Sequence, residues 1–435
     1  MPKHNINAIN SNNKNKNKED FSAMQEYSMV SSHSAREAAE DSIFKVNREA
    51  QEAAKKFGKD AVINASVGTL LDDNGRIYTI PSVMKTLRSL DDSDFAAYAP
   101  IAGLPEFLDK VLDAAFRDCR PQGYFRAVAT PGGSGAIRNT VWNYSEFGQS
   151  VLTADWYWGP YKTICDENGR KLVTFKLFDD DFHLNIASFE EKIDEILRAQ
   201  KRIVILLNSP SNNPTGYNIS DEEWDKIIDI LKSKAKDEAN KIILFADIAY
   251  IDYSSKLGNG REFMKKFSNL PYNILVVLGF SMSKGYTFYG MRSGAMICIS
   301  SEEKIAQEFR NANEHSNRGV WSNGTRSAMT VLAKIYSDKE LLERVDNERN
   351  VLKNILFKRA EAFVSEAEKV NLKICPYKSG FFISIPNDNP KQAVEKLKKE
   401  NIFAVPIAKG LRFAVCSVSE EKCRKVPQII KSVLG

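Results

Sequence analysis

The chain has 435 residues, 43% of them hydrophobic, enough to bury a large core divided between two or three lobes. Its net charge of +5 is nearly matched by Lys3, Lys14, Lys16 and Lys18, which precede the first acid, so the body is almost neutral and lacks the excess of basic residues that a nucleic-acid surface requires. The six cysteines have no CxxC spacing and suggest neither metal site nor disulfide framework. The longest apolar runs are too short to span a bilayer and no secretory signal follows Met1, so a cytoplasmic protein is expected.

In chain order, Met1 to about Asp20 is Asn/Lys-rich and reads as a disordered tail. An alanine-rich, charge-interspersed pattern from Ala35 to Phe57 predicts a helix that ends at Gly58. Ile63 to Val83 predicts two short strands around a polar turn, with Gly68 inside the first half. The Pro/Gly loop from Tyr98 to Phe107, YAPIAGLPEF, opens another helix. Both segments are either loops at the edge of a site or ordinary connections.

The β-like run Arg126 to Ala129 leads into Thr130-Pro131-Gly132-Gly133-Ser134-Gly135 and then a helical pattern. Glycines there let backbone amides approach an anion, and the helix N-terminus adds positive potential, so Gly133 and Ser134 mark a candidate phosphate site. The third glycine of a dinucleotide fingerprint is missing, because Arg138 holds that place. Strands and helices then alternate. Val151 to Ala154 delivers the aromatic cluster that includes Trp156, Trp158 and Tyr161, and Lys171 to Phe175, Arg202 to Leu207, Lys241 to Ala246 and Ile274 to Leu278 follow. That alternation predicts a mostly parallel, doubly wound α/β sheet, with Ser220 and Glu223 as a capping box. A long charged helix from Ser337 to Val370 and three short strands complete a smaller α+β lobe. The expected division is 21–80 with 330–435 as the small domain and 81–329 as the large one.

Three polar words terminate strands: Asn212-Asn213-Pro214-Thr215-Gly216, Asp247-Ile248-Ala249-Tyr250, and the turn from Ser281 to Gly294 that carries Lys284 and Arg292. Strand exits of open α/β sheets are where ligands bind. A carboxylate at the end of an apolar strand needs a cation, so Asp247 wants a positive partner. A lysine beside another cation and partly buried has a depressed pKa, which makes it a nucleophile able to form Schiff bases. A cis Asn213-Pro214 bond is expected from the turn chemistry.

These words, in this order and with eight residues from Lys284 to Arg292, resemble the fold type I pyridoxal-phosphate-dependent aminotransferases of the aspartate/aromatic subgroup, over nearly all of Ile63 to Cys416. The resemblance implies pyridoxal 5'-phosphate as cofactor, with Lys284, Asp247 and Tyr250 catalytic. It further implies Gly133, Ser134, Ser281 and Arg292 on the phosphate, Trp158 over the ring, and Asn213 beside Tyr250. Gly68, Asn213 and Arg412 would meet the substrate. Tyr98 and Arg318 would reach into a partner subunit of a homodimer with shared sites; otherwise Tyr98 packs its loop and Arg318 makes a surface ion pair. The implied reaction is transfer of an amino group from an L-amino acid, aspartate and/or aromatic, to a 2-oxo acid such as 2-oxoglutarate. The alternatives are β-elimination on the same scaffold and a cofactor-sensing regulator, for which the N-terminal tail is too short to hold a DNA-binding domain. Three departures from the family pattern stand out: Gly132 for a serine, Tyr161 for a histidine behind the aspartate, and Trp156 for a proline. The added aromatic rim implies room for larger side chains than that of aspartate.

Overall fold

The computed structural model describes residues 29–35, 40–255 and 260–435, and the Asn/Lys-rich stretch read as a tail lies outside them. Its strands are β1 (Ile63–Asn64), β2 (Tyr124–Thr130), β3 (Ser150–Ala154), β4 (Lys171–Phe175), β5 (Arg202–Asn208), β6 (Lys241–Asp247), β7 (Ile274–Ser281), β8 (Gly294–Ser300), β9 (Phe382–Pro386), β10 (Ile402–Phe403), β11 (Val405–Ile407) and β12 (Gly410–Ala414). Seven form one sheet in the order β2-β8-β7-β6-β5-β3-β4, in which only β8 runs antiparallel to its neighbours. The mostly parallel, doubly wound sheet expected from the alternation is therefore present.

The near-continuous apolar runs of β5, β6 and β7 follow from cover on both faces. Alternate residues separate cleanly. Val204 and Leu206 of β5 pack in one cluster with Ala136, Ile137 and Phe309 from the helices Gly132–Tyr144 and Glu303–Val320. Ile203, Ile205 and Leu207 face the other way, with Phe189, Ile193 and Leu231 from the helices Ile186–Gln200 and Asp221–Ala235. The second of these helices starts with the reciprocal Ser220–Glu223 capping box read from the sequence.

Toward the C-terminus, β11, β12 and β9 form an antiparallel sheet, and β1 pairs in parallel with β10, which joins the first described strand to the last quarter of the chain. The helix Lys339–Lys369 lies beside them, and its buried Arg359 donates to the carbonyls of Leu71 (2.8 Å) and Cys416 (2.9 Å). All six cysteines are buried, and none forms a disulfide.

Several local expectations are corrected. The first long helix starts at Ser42 rather than Ala35, because Asp41 Oδ1 accepts from the amides of Ile43 (2.9 Å) and Phe44 (3.3 Å) and caps it there; residues 36–39 of the expected helix lie outside the described ones. The second strand expected before Val83 reduces to an isolated Leu71–Ile77 bridge, since Pro81 opens a helix, Pro81–Arg88. The expected strand Leu411 to Cys416 is present as β12 but stops at Ala414, where a 3-10 turn, Val415–Ser417, takes over. The cis bond is Ser209-Pro210, not Asn213-Pro214. At the latter place Asn208 Oδ1 holds the Asn213 amide (2.6 Å) and Asn212 Oδ1 holds the Thr215 hydroxyl (2.8 Å), so side-chain acceptors close that turn.

Candidate active site

Four strand ends converge. β5 ends at Asn208, β6 at Asp247 and β7 at Ser281, while β2 leads directly to the N-terminus of the helix Gly132–Tyr144. Between them lies a cavity of about 290 Å³. Of the residues singled out in the sequence, Gly68, Gly133, Ser134, Trp158, Asn213, Asp247, Tyr250, Ser281, Lys284, Arg292 and Arg412 all line it. Tyr98 and Arg318 do not. Tyr98 is 86% exposed, and Arg318 donates to Ser322 Oγ (2.7 Å) on its own helix end.

Lys284 sits on a one-turn helix, Met282–Gly285, whose Ser283 amide donates to Ser281 Oγ (3.2 Å). Its Nζ donates to the Gly68 carbonyl (2.6 Å) and lies 4.7 Å from the ring centroid of Tyr289. Gly68 is required there, since a Cβ would come within 2.6 Å of the Phe382 ring. Lys284 makes no ion pair among the described residues. Burial pushes its pKa down to about 8; the Arg412 and Arg292 guanidinium groups push the same way and Cys416 opposes them.

Asp247 is buried and likewise has no cation among the described residues within ion-pair reach. Its carboxylate accepts from Tyr161 Oη (2.7 Å) and the Ala249 amide (3.1 Å), and burial pushes its pKa up to about 6 against the pull of those two bonds. Arg412, on β12 opposite Ser384, is only 4% exposed. It donates to the Ser66 carbonyl (2.9 Å) and stacks over Phe382 (4.4 Å), yet its buried Nε has no hydrogen-bond partner. A buried guanidinium without a carboxylate is costly, and burial lowers its pKa accordingly.

At the other end, Arg292 adopts φ +49° and donates to Ser283 Oγ (3.3 Å) and the Tyr289 carbonyl (3.0 Å). A Cβ on Gly132 would meet its Nη2 at 3.1 Å, so a serine in that place would crowd the guanidinium. No side chain caps the helix Gly132–Tyr144, which leaves its first amides open to an anion beside Ser134, Ser281 and Arg292.

The cavity thus gathers an anion cradle, an unpaired carboxylate, an amine of lowered pKa and a guanidinium with an idle donor. That donor set fits pyridoxal 5'-phosphate, which offers a phosphate, a protonable ring nitrogen and an aldehyde to groups of these kinds. Sequence reasoning assigned no role to Asn208, Tyr289, Phe382 and Ile43, which line the cavity together with Ser283 of the lysine turn. The first two adjoin or lie inside the recognised words; Phe382 and Ile43 carry no local signal. Trp156, read as part of an aromatic rim, is instead buried in the core at 7% exposure, and Tyr161 faces Asp247, so neither widens the cavity.

Fold and site together define a pyridoxal-phosphate-dependent enzyme of fold type I. Residues 60–430 match the family model for aminotransferase class I and II, and the chain belongs to that family of pyridoxal-phosphate-dependent transaminases. It is similar to an aminotransferase from Anaerococcus prevotii of known structure, at 44% identity and a TM-score of 0.92, covering 94% of this chain and all of that one (100%). The mitochondrial aspartate aminotransferase of Xenopus tropicalis is 26% identical over 379 residues, 85% of this chain and 86% of the relative. The aromatic-amino-acid aminotransferase of Burkholderia pseudomallei, whose structure is covalently bound to pyridoxal phosphate, shares the fold at 20% identity and a TM-score of 0.73, over 93% of this chain and 100% of that one.

Proposed function

We propose that this transaminase takes the amino group of an L-amino acid, aspartate and/or aromatic, and passes it to a 2-oxo acid such as 2-oxoglutarate, with Lys284 as the cofactor lysine. The observation that carries the reading is the convergence of three uncompensated charges, Lys284, Asp247 and Arg412, on one cavity. When bound, the cofactor supplies an electron sink for the charge left at the substrate Cα. Asp247, ionised, keeps the ring nitrogen protonated. Tyr250 Oη, which accepts from Asn213 Nδ2 at 3.3 Å, stands with that amide to bond the ring's phenolic oxygen. Gly133, Ser134, Ser281 and Arg292 would hold the phosphate, and Trp158 would pack on the ring.

Arg412 binds the substrate α-carboxylate with its idle Nε and orients the Cα–H. Lys284 Nζ then takes the Cα proton and returns it; a pKa of about 8 leaves enough free amine near neutral pH for this. Gly68, whose carbonyl receives Nζ, and Asn213 border the substrate position. The exposure of Tyr98 and the absence of Arg318 from the cavity lining are consistent with a homodimer in which both serve the partner's site. A large lobe of 81–329 and a small one of 21–80 with 330–435 fit the separate sheets and the β1–β10 pairing, with 21–28, 36–39 and 256–259 outside the described residues.

A panel of amino donors against 2-oxoglutarate, run with the purified protein and with Arg318→Leu, tests this. Loss of aspartate activity by about a hundredfold, with phenylalanine and tyrosine retained, is the expected result for a carboxylate clamp at Arg318. Unchanged dicarboxylate activity would remove Arg318 from the site, and a protein inactive with every donor would end the substrate reading.

A further inference from the structure

A second cavity, of about 460 Å³, opens among residues that take no part in the site above. Four basic side chains, Arg117, Arg261, Arg349 and Lys353, line it against three acidic ones, Asp118, Asp252 and Asp346. Two of these acids are heavily engaged. Asp346 accepts both Arg117 nitrogens (2.9 Å each) and Arg349 Nη1 (2.7 Å), while Asp252 accepts Arg261 Nη2 (2.7 Å) and has Arg349 Nη1 at 4.0 Å. Burial opposes ionisation of Asp252, but Arg349 and Arg261 outweigh it and hold the carboxyl well below its ordinary range.

Two donors remain. Arg349 is 5% exposed, and its buried Nη2 has no hydrogen-bond partner among the described residues. Lys353 makes no ion pair among them either, and it lies four residues on along the same helix, hence on the same face. A buried guanidinium N–H without an acceptor is destabilising, so the cavity wants an acceptor that the described residues do not supply. We propose that it binds a small oxyanion, a phosphoryl or carboxylate group, held by Arg349 Nη2 and Lys353 Nζ.

The position gives such binding a consequence. Arg349 Nε donates to the Gly285 carbonyl (2.7 Å), one residue past Lys284, and a Cβ on Gly285 would collide with the Asp252 carboxylate. The group that grips the anion therefore also grips the lysine turn.

The test is a calorimetric titration of the cofactor-loaded enzyme with inorganic phosphate and, separately, with acetate. Phosphate is expected to bind one site per protomer, at least about tenfold more weakly in Lys353→Ala and with unchanged affinity in Lys358→Ala, an exposed control on the same helix. Binding must also persist in Arg412→Ala, which removes the substrate guanidinium. Lys353-dependent binding of phosphate alone assigns a phosphoryl ligand; acetate binding with the same dependence assigns the carboxylate class as well. Absence of saturable binding up to about 20 mM, binding indifferent to Lys353→Ala, or binding lost in Arg412→Ala would each overturn the proposal.

Discussion

Replacing Tyr161 by Phe removes the only side-chain donor on Asp247 among the described residues and leaves every cavity-lining group in place. Burial pushes this carboxyl up to about 6, and the 2.7 Å bond from Tyr161 holds it from rising further. A hydrogen bond to a charged group contributes about 1.5–3 kcal/mol, and one pKa unit corresponds to about 1.4 kcal/mol, so the variant carboxyl should titrate about one to two units higher. Because the folded pKa lies above the ordinary carboxylate value, the empty fold is stabilised with Asp247 neutral, and that contribution is lost as pH rises through about 6. A cofactor that brings a protonated ring nitrogen selects the ionised form instead. Affinity of the apoenzyme for pyridoxal phosphate, measured by absorbance titration between about pH 5 and pH 9, should fall off below about pH 6 in the wild-type chain and below about pH 7–8 in the variant. At pH 7 the variant should bind about two- to tenfold more weakly. Coincident pH profiles for the two proteins would refute the role given to Tyr161, and with it the claim that an ionised Asp247 holds the ring nitrogen.

Lys284→Ala should abolish turnover and the visible absorbance of the loaded enzyme while leaving phosphate-end contacts to retain some cofactor; an active variant would dismiss Lys284 from its role. Arg412→Lys keeps a charge but loses the planar fork, and the KM for amino donors should rise about ten- to a hundredfold with a smaller change in kcat. Gly285→Ala forces a methyl group against Asp252, a buried partner of Arg261, and should cost about 1–3 kcal/mol, read as a lower denaturant midpoint with an unchanged far-UV spectrum.

Much of the site was legible because its chemistry is written in strand-end words. Asp247 and Lys284 each follow an apolar run that reads as a covered strand, and a charge in that setting signals a ligand. The aromatic cluster shows the limit of such reading. Trp156, Trp158 and Tyr161 lie within six consecutive positions, yet one is core, one lines the cavity and one donates to Asp247 from behind, a division set by where β3 ends and the helix Pro160–Glu167 begins.

By itself the sequence determined the alternation of covered strands and amphipathic helices, the glycine-rich helix start and the identity of the lysine, the aspartate and the two arginines at the cavity. Only the tertiary structure decided that Arg412 closes over Ser66 and that Phe382 presses on Gly68. It alone placed Arg349 and Lys353 in a second cavity against Gly285. Local pattern reports which face of an element is apolar. It does not report which distant carbonyl or ring will meet that face, because those contacts join residues tens to hundreds of positions apart and are selected by packing of the whole chain.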